Sequence, residues 1–210
     1  MLRLQLAADD APLRVLAIGA HADDIEIGCG GTLLRLAERA GVLEVQCVVL
    51  SASAERAAEA RASAAAFGAQ LAVQGFRDAF FRYGGEVKEF FEELKGGFEP
   101  DLILTHHDED RHQDHRLVAE LTWNTFRDHL ILEYEVPKYD GDLGTPNVFV
   151  PLDEEQARRK VELLLESFPS QAGKRWFTED LFMALMRLRG MECNSPSGLA
   201  EAFYARKLSL

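Results

Sequence analysis

Val15-Leu-Ala-Ile-Gly-Ala20 runs directly into His21-Ala22-Asp23-Asp24. The apolar run is short and continuous, the pattern of a strand buried on both faces. The same arrangement returns later. Asp101-Leu-Ile-Leu-Thr105 is followed at once by His106-His107-Asp108-Glu109-Asp110-Arg111-His112-Gln113-Asp114-His115. Five of the six histidines in the chain fall in these two clusters, each with carboxylates close by.

Working outward, strand and helix signals alternate. Strands are predicted at Arg14–Ala20, Leu43–Leu50, Leu71–Val73, Asp101–Thr105 and Leu130–Val136. Between them the spacing predicts a helix near Gly31–Ala40, with Leu33, Leu34, Leu36 and Ala37 on its apolar face and Gly41 ending it. An Ala-rich helix follows at Ala54–Phe67, stopped by Gly68, then helices at Glu86–Lys95 and Leu117–Asp128. Such alternation implies an α/β fold: a three-layer, Rossmann-like, mostly parallel sheet of order 3-2-1-4-5. After Pro137 the pattern changes to a Gly/Pro-rich loop, a strand at Val148–Val150 and helices near Asp153–Ser167 and Thr178–Arg189. This reads as a C-terminal strand and helix elaboration of one domain, residues 1–210.

Lys plus Arg number 23 and Asp plus Glu 35, for a formal charge of −12. That balance disfavours nucleic acid, which needs a basic surface. No stretch approaches the roughly 20 apolar residues of a bilayer span, and the start, with Asp9 and Asp10, lacks the basic-then-apolar form of a signal peptide. Cys29, Cys47 and Cys193 are odd in number and far apart, as in a reducing compartment. The expected location is cytoplasmic, with no membrane insertion.

In a doubly wound sheet the first and fourth strands lie side by side, and ligands bind beyond their carboxyl ends. Both clusters occupy that place. Imidazole and carboxylate together form the ligand set of a zinc or non-haem iron site. His21 and Asp24, three apart, suit one tight turn, and His115 completes two imidazoles and a carboxylate with positions left open, the form of a catalytic zinc site. Asp23 beside them is the expected general base. His112, oriented and raised in pKa by Asp114, is expected to stabilise an oxyanion and protonate a departing amine. These parts match hydrolysis of an amide.

At these residues the chain resembles the LmbE-like (PIG-L) family of zinc-dependent N-acetyl-sugar deacetylases. The His-x-Asp-Asp pattern stands as His21-Ala22-Asp23-Asp24, with alanine where many members carry proline, and His-x-Asp-His stands as His112-Gln113-Asp114-His115. Gly28-Cys-Gly30-Gly31-Thr32, Arg56-Ala-Ala-Glu59-Ala60, Arg189-Gly190 and Ala200-Glu201-Ala202-Phe203 extend the likeness. The resemblance implies metal ligands His21, Asp24 and His115, a base at Asp23, oxyanion and proton chemistry at the His112–Asp114 pair, and substrate contact by Arg56. It implies zinc, or another divalent metal such as Fe(II), an N-acetylated amino sugar or sugar conjugate as the small-molecule partner, and allows a homo-oligomer.

Other readings stand beside this one. His21, Asp23 and His115 also fit the facial triad of Fe(II) oxygenases, though those enzymes are usually all-β. A non-catalytic metal- or sugar-binding protein on the same scaffold is a third reading. Gly28-Cys-Gly30-Gly31 resembles a phosphate-cradling turn, but no acidic residue ends the second strand to hold a ribose, so the glycines read as a tight turn into the helix. His106 and His107 read as supporting residues, Asp110 as a carboxylate behind a ligand, and His129 as a surface or capping residue. Phe76-Arg-Asp-Ala-Phe80-Phe81-Arg82-Tyr83 reads as a buried aromatic cluster or a rim on which a sugar stacks.

Overall fold

The computed structural model describes residue 6 and residues 10–38, 41–80 and 82–208; the expected helix end at Ala40, together with Asp9 and Phe81, lies outside them. The elements run β1 (Leu13–His21), α1 (Asp24–Ala37), β2 (Leu43–Ser51), α2 (Ala54–Ala66), β3 (Gln70–Val73), α3 (Gly85–Gly97), β4 (Leu102–His106), α4 (Gln113–Thr125) and β5 (Leu130–Tyr134). β6 (Val148–Pro151), α5 (Glu154–Ser167), α6 (Glu179–Glu192) and β7 (Ala200–Tyr204) complete them. The sheet order is β3-β2-β1-β4-β5-β7-β6. Pairing is parallel from β3 to β5, with Ala17 opposite Cys47 on β2 and Leu104 on β4. β7 runs antiparallel to both β5 and β6. The predicted order 3-2-1-4-5 is what the chain adopts.

Side-chain alternation along β1 divides the core in two. Val15 and Ala17 face one cluster with Ile25, Ile27 and Leu33 of α1, Ala60 of α2, and residues of α5 and α6. Leu16, Ile18 and Ala20 face the other, with Val87, Phe91 and Leu94 of α3 and Leu117, Val118 and Leu121 of α4. The crossovers α1 and α2 therefore cover one face, and α3 and α4 the opposite one. The chain changes face between β1 and β4, which opens a crevice beyond their carboxyl ends.

Two helix starts differ from expectation. α1 begins at Asp24, so Gly28, Gly30 and Gly31 lie inside the helix and are not a turn before it. Close packing explains the glycines: a Cβ on Gly28 would meet Tyr134 Cδ2 at 2.1 Å, and one on Gly31 would meet Leu152 Cδ1 at 2.5 Å. Tyr134 is fixed in turn, its hydroxyl donating to the Ile18 carbonyl at 2.7 Å. Gly28→Ala is expected to cost about 1–3 kcal/mol by overpacking, read as a lower urea midpoint at unchanged slope. α4 likewise starts at Gln113, before the predicted Leu117, because the His112 side chain caps it, its Nδ1 accepting from the Asp114 N–H at 3.3 Å.

Strand β7 was not expected from the sequence. Its Glu201 is buried, yet both carboxylate oxygens are satisfied: Lys160 Nζ and the Gly31 N–H donate to Oε1 at 2.6 and 2.8 Å, and the Thr32 N–H and hydroxyl to Oε2 at 2.6 Å each. A buried carboxylate is tolerated when paired and hydrogen-bonded in this way. The bond set ties β7 to α1 and α5.

Candidate metal centre

His21 is the last residue of β1, Asp24 the first of α1, and His115 lies in the first turn of α4. The sheet brings them together. His115 Nε2 stands 3.3 Å from His21 Nδ1, and Asp24 Oδ2 stands 3.4 Å from His21 Nδ1 and 3.5 Å from His115 Nε2. Donors held about 2.0–2.1 Å from a tetrahedral zinc are about 3.4 Å apart. The three side chains thus fit one divalent ion. The local field also favours positive charge: burial opposes it, yet Asp114 and Asp24 lift the His21 imidazole to about 10.

Each imidazole is held from behind by a carboxylate. His115 Nδ1 donates to Asp110 Oδ2 at 2.9 Å, and His21 Nε2 donates to Asp114 Oδ2 at 3.1 Å. A proton on each outer nitrogen leaves the inner lone pairs directed at the shared space, the arrangement that orients histidines toward a metal. Asp110 is anchored further by Lys138 Nζ at 2.8 Å and by the His112 N–H at 2.7 Å. Burial raises the Asp110 carboxyl's pKa, but His115 and Lys138 together hold it below the usual range. Asp110→Ala is expected to weaken zinc binding by about 10- to 100-fold, measured by competition with a chelating dye.

Asp24 is buried, which disfavours its charge, but the imidazoles of His115 and His106 hold its carboxyl well below the ordinary range. Asp23 behaves in the opposite way. Burial first, then the neighbouring Asp24 charge, push its pKa up to about 7 against the pull of Arg56. Arg56 Nη2 sits 2.8 Å from Asp23 Oδ1, so the predicted substrate residue lies beside the predicted base.

The expected His112–Asp114 carboxylate pair is not formed. The Asp114 carboxylate instead accepts from His21 Nε2 and from the Ala79 N–H at 2.8 Å, while His112 Nδ1 takes the Asp114 backbone N–H. The cause is α4: its first turn directs Asp114 toward β1. The pKa of His112 is lowered, contrary to expectation, by burial and by the neighbouring His115 and His21. Its ring still borders the centre, 4.9 Å from His21 and 4.6 Å from His115 between centroids.

Two site residues, Asp78 and Lys138, escaped the sequence reading. Asp78, three-quarters exposed, reaches within 3.2 Å of His21 Nε2. Lys138 enters from the Gly/Pro-rich loop. His106, expected as a supporting residue, stacks on His115 at 3.8 Å, with Nε2 3.1 Å from Asp24 Oδ2. His107 is turned away, stacked on Tyr204 and bonded to Glu133. In the aromatic segment, Phe80 and Tyr83 are exposed and Arg77 lies over the Phe80 ring, so these residues are not a buried cluster.

The family profile PIG-L, described as GlcNAc-PI de-N-acetylase, matches residues 16–126. The uncharacterized deacetylase YaiS of Escherichia coli (strain K12) is 31% identical over 164 residues, covering 71% of this chain and 88% of that protein. Two solved structures share the fold at low identity. GalB, the 4-carboxy-2-hydroxymuconate hydratase of Pseudomonas putida KT2440, has a TM-score of 0.79 at 16% identity, over 94% of this chain and 98% of that one. The N,N'-diacetylchitobiose deacetylase of Pyrococcus horikoshii has a TM-score of 0.73 at 18% identity, over 92% of this chain and 83% of that one. The profile spans the half of the chain that builds the donor triangle, and together with the likeness to YaiS it shows that this chain belongs to the PIG-L (LmbE-like) family.

Proposed function

We propose that this chain is a metal-dependent amide hydrolase that removes the N-acetyl group from an amino sugar or amino-sugar conjugate. The observation that supports this most is the convergence of His21 Nδ1, Asp24 Oδ2 and His115 Nε2, each imidazole backed by its own carboxylate. Those three residues would hold the ion. Two imidazoles and a carboxylate suit zinc, and Fe(II) as well. A bound divalent ion supplies Lewis-acid polarisation and acidifies water.

The chain's own residues supply the rest. Asp23, with a pKa near neutrality, accepts a proton from the attacking water. His112 accepts a backbone N–H at Nδ1, so the neutral ring carries its proton on Nε2. That Nε2–H donates to the carbonyl oxygen as negative charge develops there. Because Nδ1 is already an acceptor, we assign the proton for the departing amine to Asp23, which carries it over from the water. The products are acetate and a free amino sugar.

The oxygenase reading drew on Asp23 as a ligand; here Asp24 faces the imidazoles and Asp23 is paired with Arg56. The GalB likeness shows that the scaffold alone does not select an amide. The family and YaiS favour it.

Incubating zinc-loaded protein with N-acetylglucosamine and N,N'-diacetylchitobiose, and titrating primary amine, tests the reading. Amine release abolished by a chelator is expected. No release above buffer from any N-acetylated sugar would overturn it. Among the described residues no helix is long and apolar enough to cross a membrane.

A further inference from the structure

Arg56 is tied to Asp23, Ala22, Glu59 and Ser170. Its Nη2 stands 2.8 Å from Asp23 Oδ1 in an ion pair and donates to the Ala22 carbonyl at 2.8 Å. Its Nη1 donates to Glu59 Oε2 at 3.1 Å and to Ser170 Oγ at 3.4 Å. These contacts fix the guanidinium plane, while the inner Nε–H has no partner among the described residues. The group also lies over Phe168, 5.1 Å from the ring centroid. Glu59 is fixed from the far side, its Oε1 and Oε2 accepting from the Ser170 N–H and hydroxyl at 2.8 and 2.7 Å.

Asp23 shows what this rigidity achieves. It occupies the N-cap position of α1, where an aspartate ordinarily bends back onto the helix's first N–H groups. Here it makes no such bond. Arg56 holds Oδ1 instead, and Oδ2 has no hydrogen-bond partner among the described residues.

We propose that Arg56 is a positioning residue, which diverts the Asp23 carboxylate from capping α1 and presents Oδ2 to the water. Glu59 and Ser170 act as its buttress. The inference rests on the hydrolase reading above, and it gives Arg56 a role beyond the substrate contact that the family resemblance implies.

The test compares zinc-loaded wild type with Arg56→Ala and Glu59→Gln on the best acetylated sugar. In Arg56→Ala, kcat is expected to fall about 100-fold, the order of effect of a misplaced group, while KM stays within about threefold. Millimolar guanidinium chloride should restore part of that kcat. Glu59→Gln, which loosens Arg56 without touching Asp23, should show a smaller loss, again in kcat alone. A readout independent of turnover accompanies these: in crystals of Arg56→Ala, the Asp23 carboxylate should swing onto the first-turn N–H groups of α1. A KM increase of about tenfold or more with kcat retained in Arg56→Ala, or an unmoved Asp23 in the crystal, overturns the proposal. Inactive wild type would instead overturn the hydrolase reading, and the crystallographic result would still decide the Arg56–Asp23 relationship.

Discussion

Asp23→Asn is expected to retain its metal and lose about 10³-fold in kcat. The side chain stands outside the donor triangle, tied to Arg56 at 2.8 Å, so ligation should not need it. Asparagine is nearly isosteric and still accepts from Arg56, but it cannot take up a proton. The variant therefore removes a proton site and little else. Metal content measured alongside amine release separates the outcomes. Activity near wild type would dismiss Asp23 as the base, and loss of the metal would move it into the ligand set.

The second large effect is expected at His115. His115→Ala removes one corner of the triangle and should reduce zinc retained after desalting from about one equivalent per chain to background, with hydrolysis falling to the level of the chelated protein. His115 is almost fully buried and stacked on His106, so the variant should also unfold at lower denaturant. His129→Ala is the matched control. That ring packs against Phe126, at 5.4 Å between centroids, away from the triangle, and its loss should leave zinc and turnover as they are. Equal zinc retention in the two variants would remove His115 from the centre.

Much of this was legible in the sequence because two signals are local. Apolar runs punctuated by Gly41 and Gly68 mark strands and helix ends, and right-handed crossovers then leave few ways to order the parallel strands. The histidine clusters follow two of those runs, so topology alone brings them together. What failed was set by tertiary contacts. The glycines of α1 look like breakers, yet they sit inside a helix because Tyr134 and Leu152 press on them. β7 has few β-branched residues and a glutamate, and it is a strand because Lys160 and α1 satisfy Glu201. His112 was not recognised as a helix cap, since Ser, Thr, Asp and Asn usually fill that role, and the start of α4 was misplaced with it.

The same reason explains the site residues. His21, Asp24 and His115 could be named from spacing. The partner of Asp114 could not, because it depends on which way the first turn of α4 faces. Lys138 comes from a loop with no periodic pattern, and only the folded chain brings it to Asp110. Residues proposed to meet the ion follow from motif and topology; the residues packed behind them follow from the fold.

Anomalous diffraction at the zinc edge, from crystals of this protein soaked in zinc, tests the central claim most directly. The account predicts one strong peak about 2.0–2.2 Å from His21 Nδ1, Asp24 Oδ2 and His115 Nε2 together. A peak bound elsewhere, or none among these three atoms at saturating zinc, would contradict it.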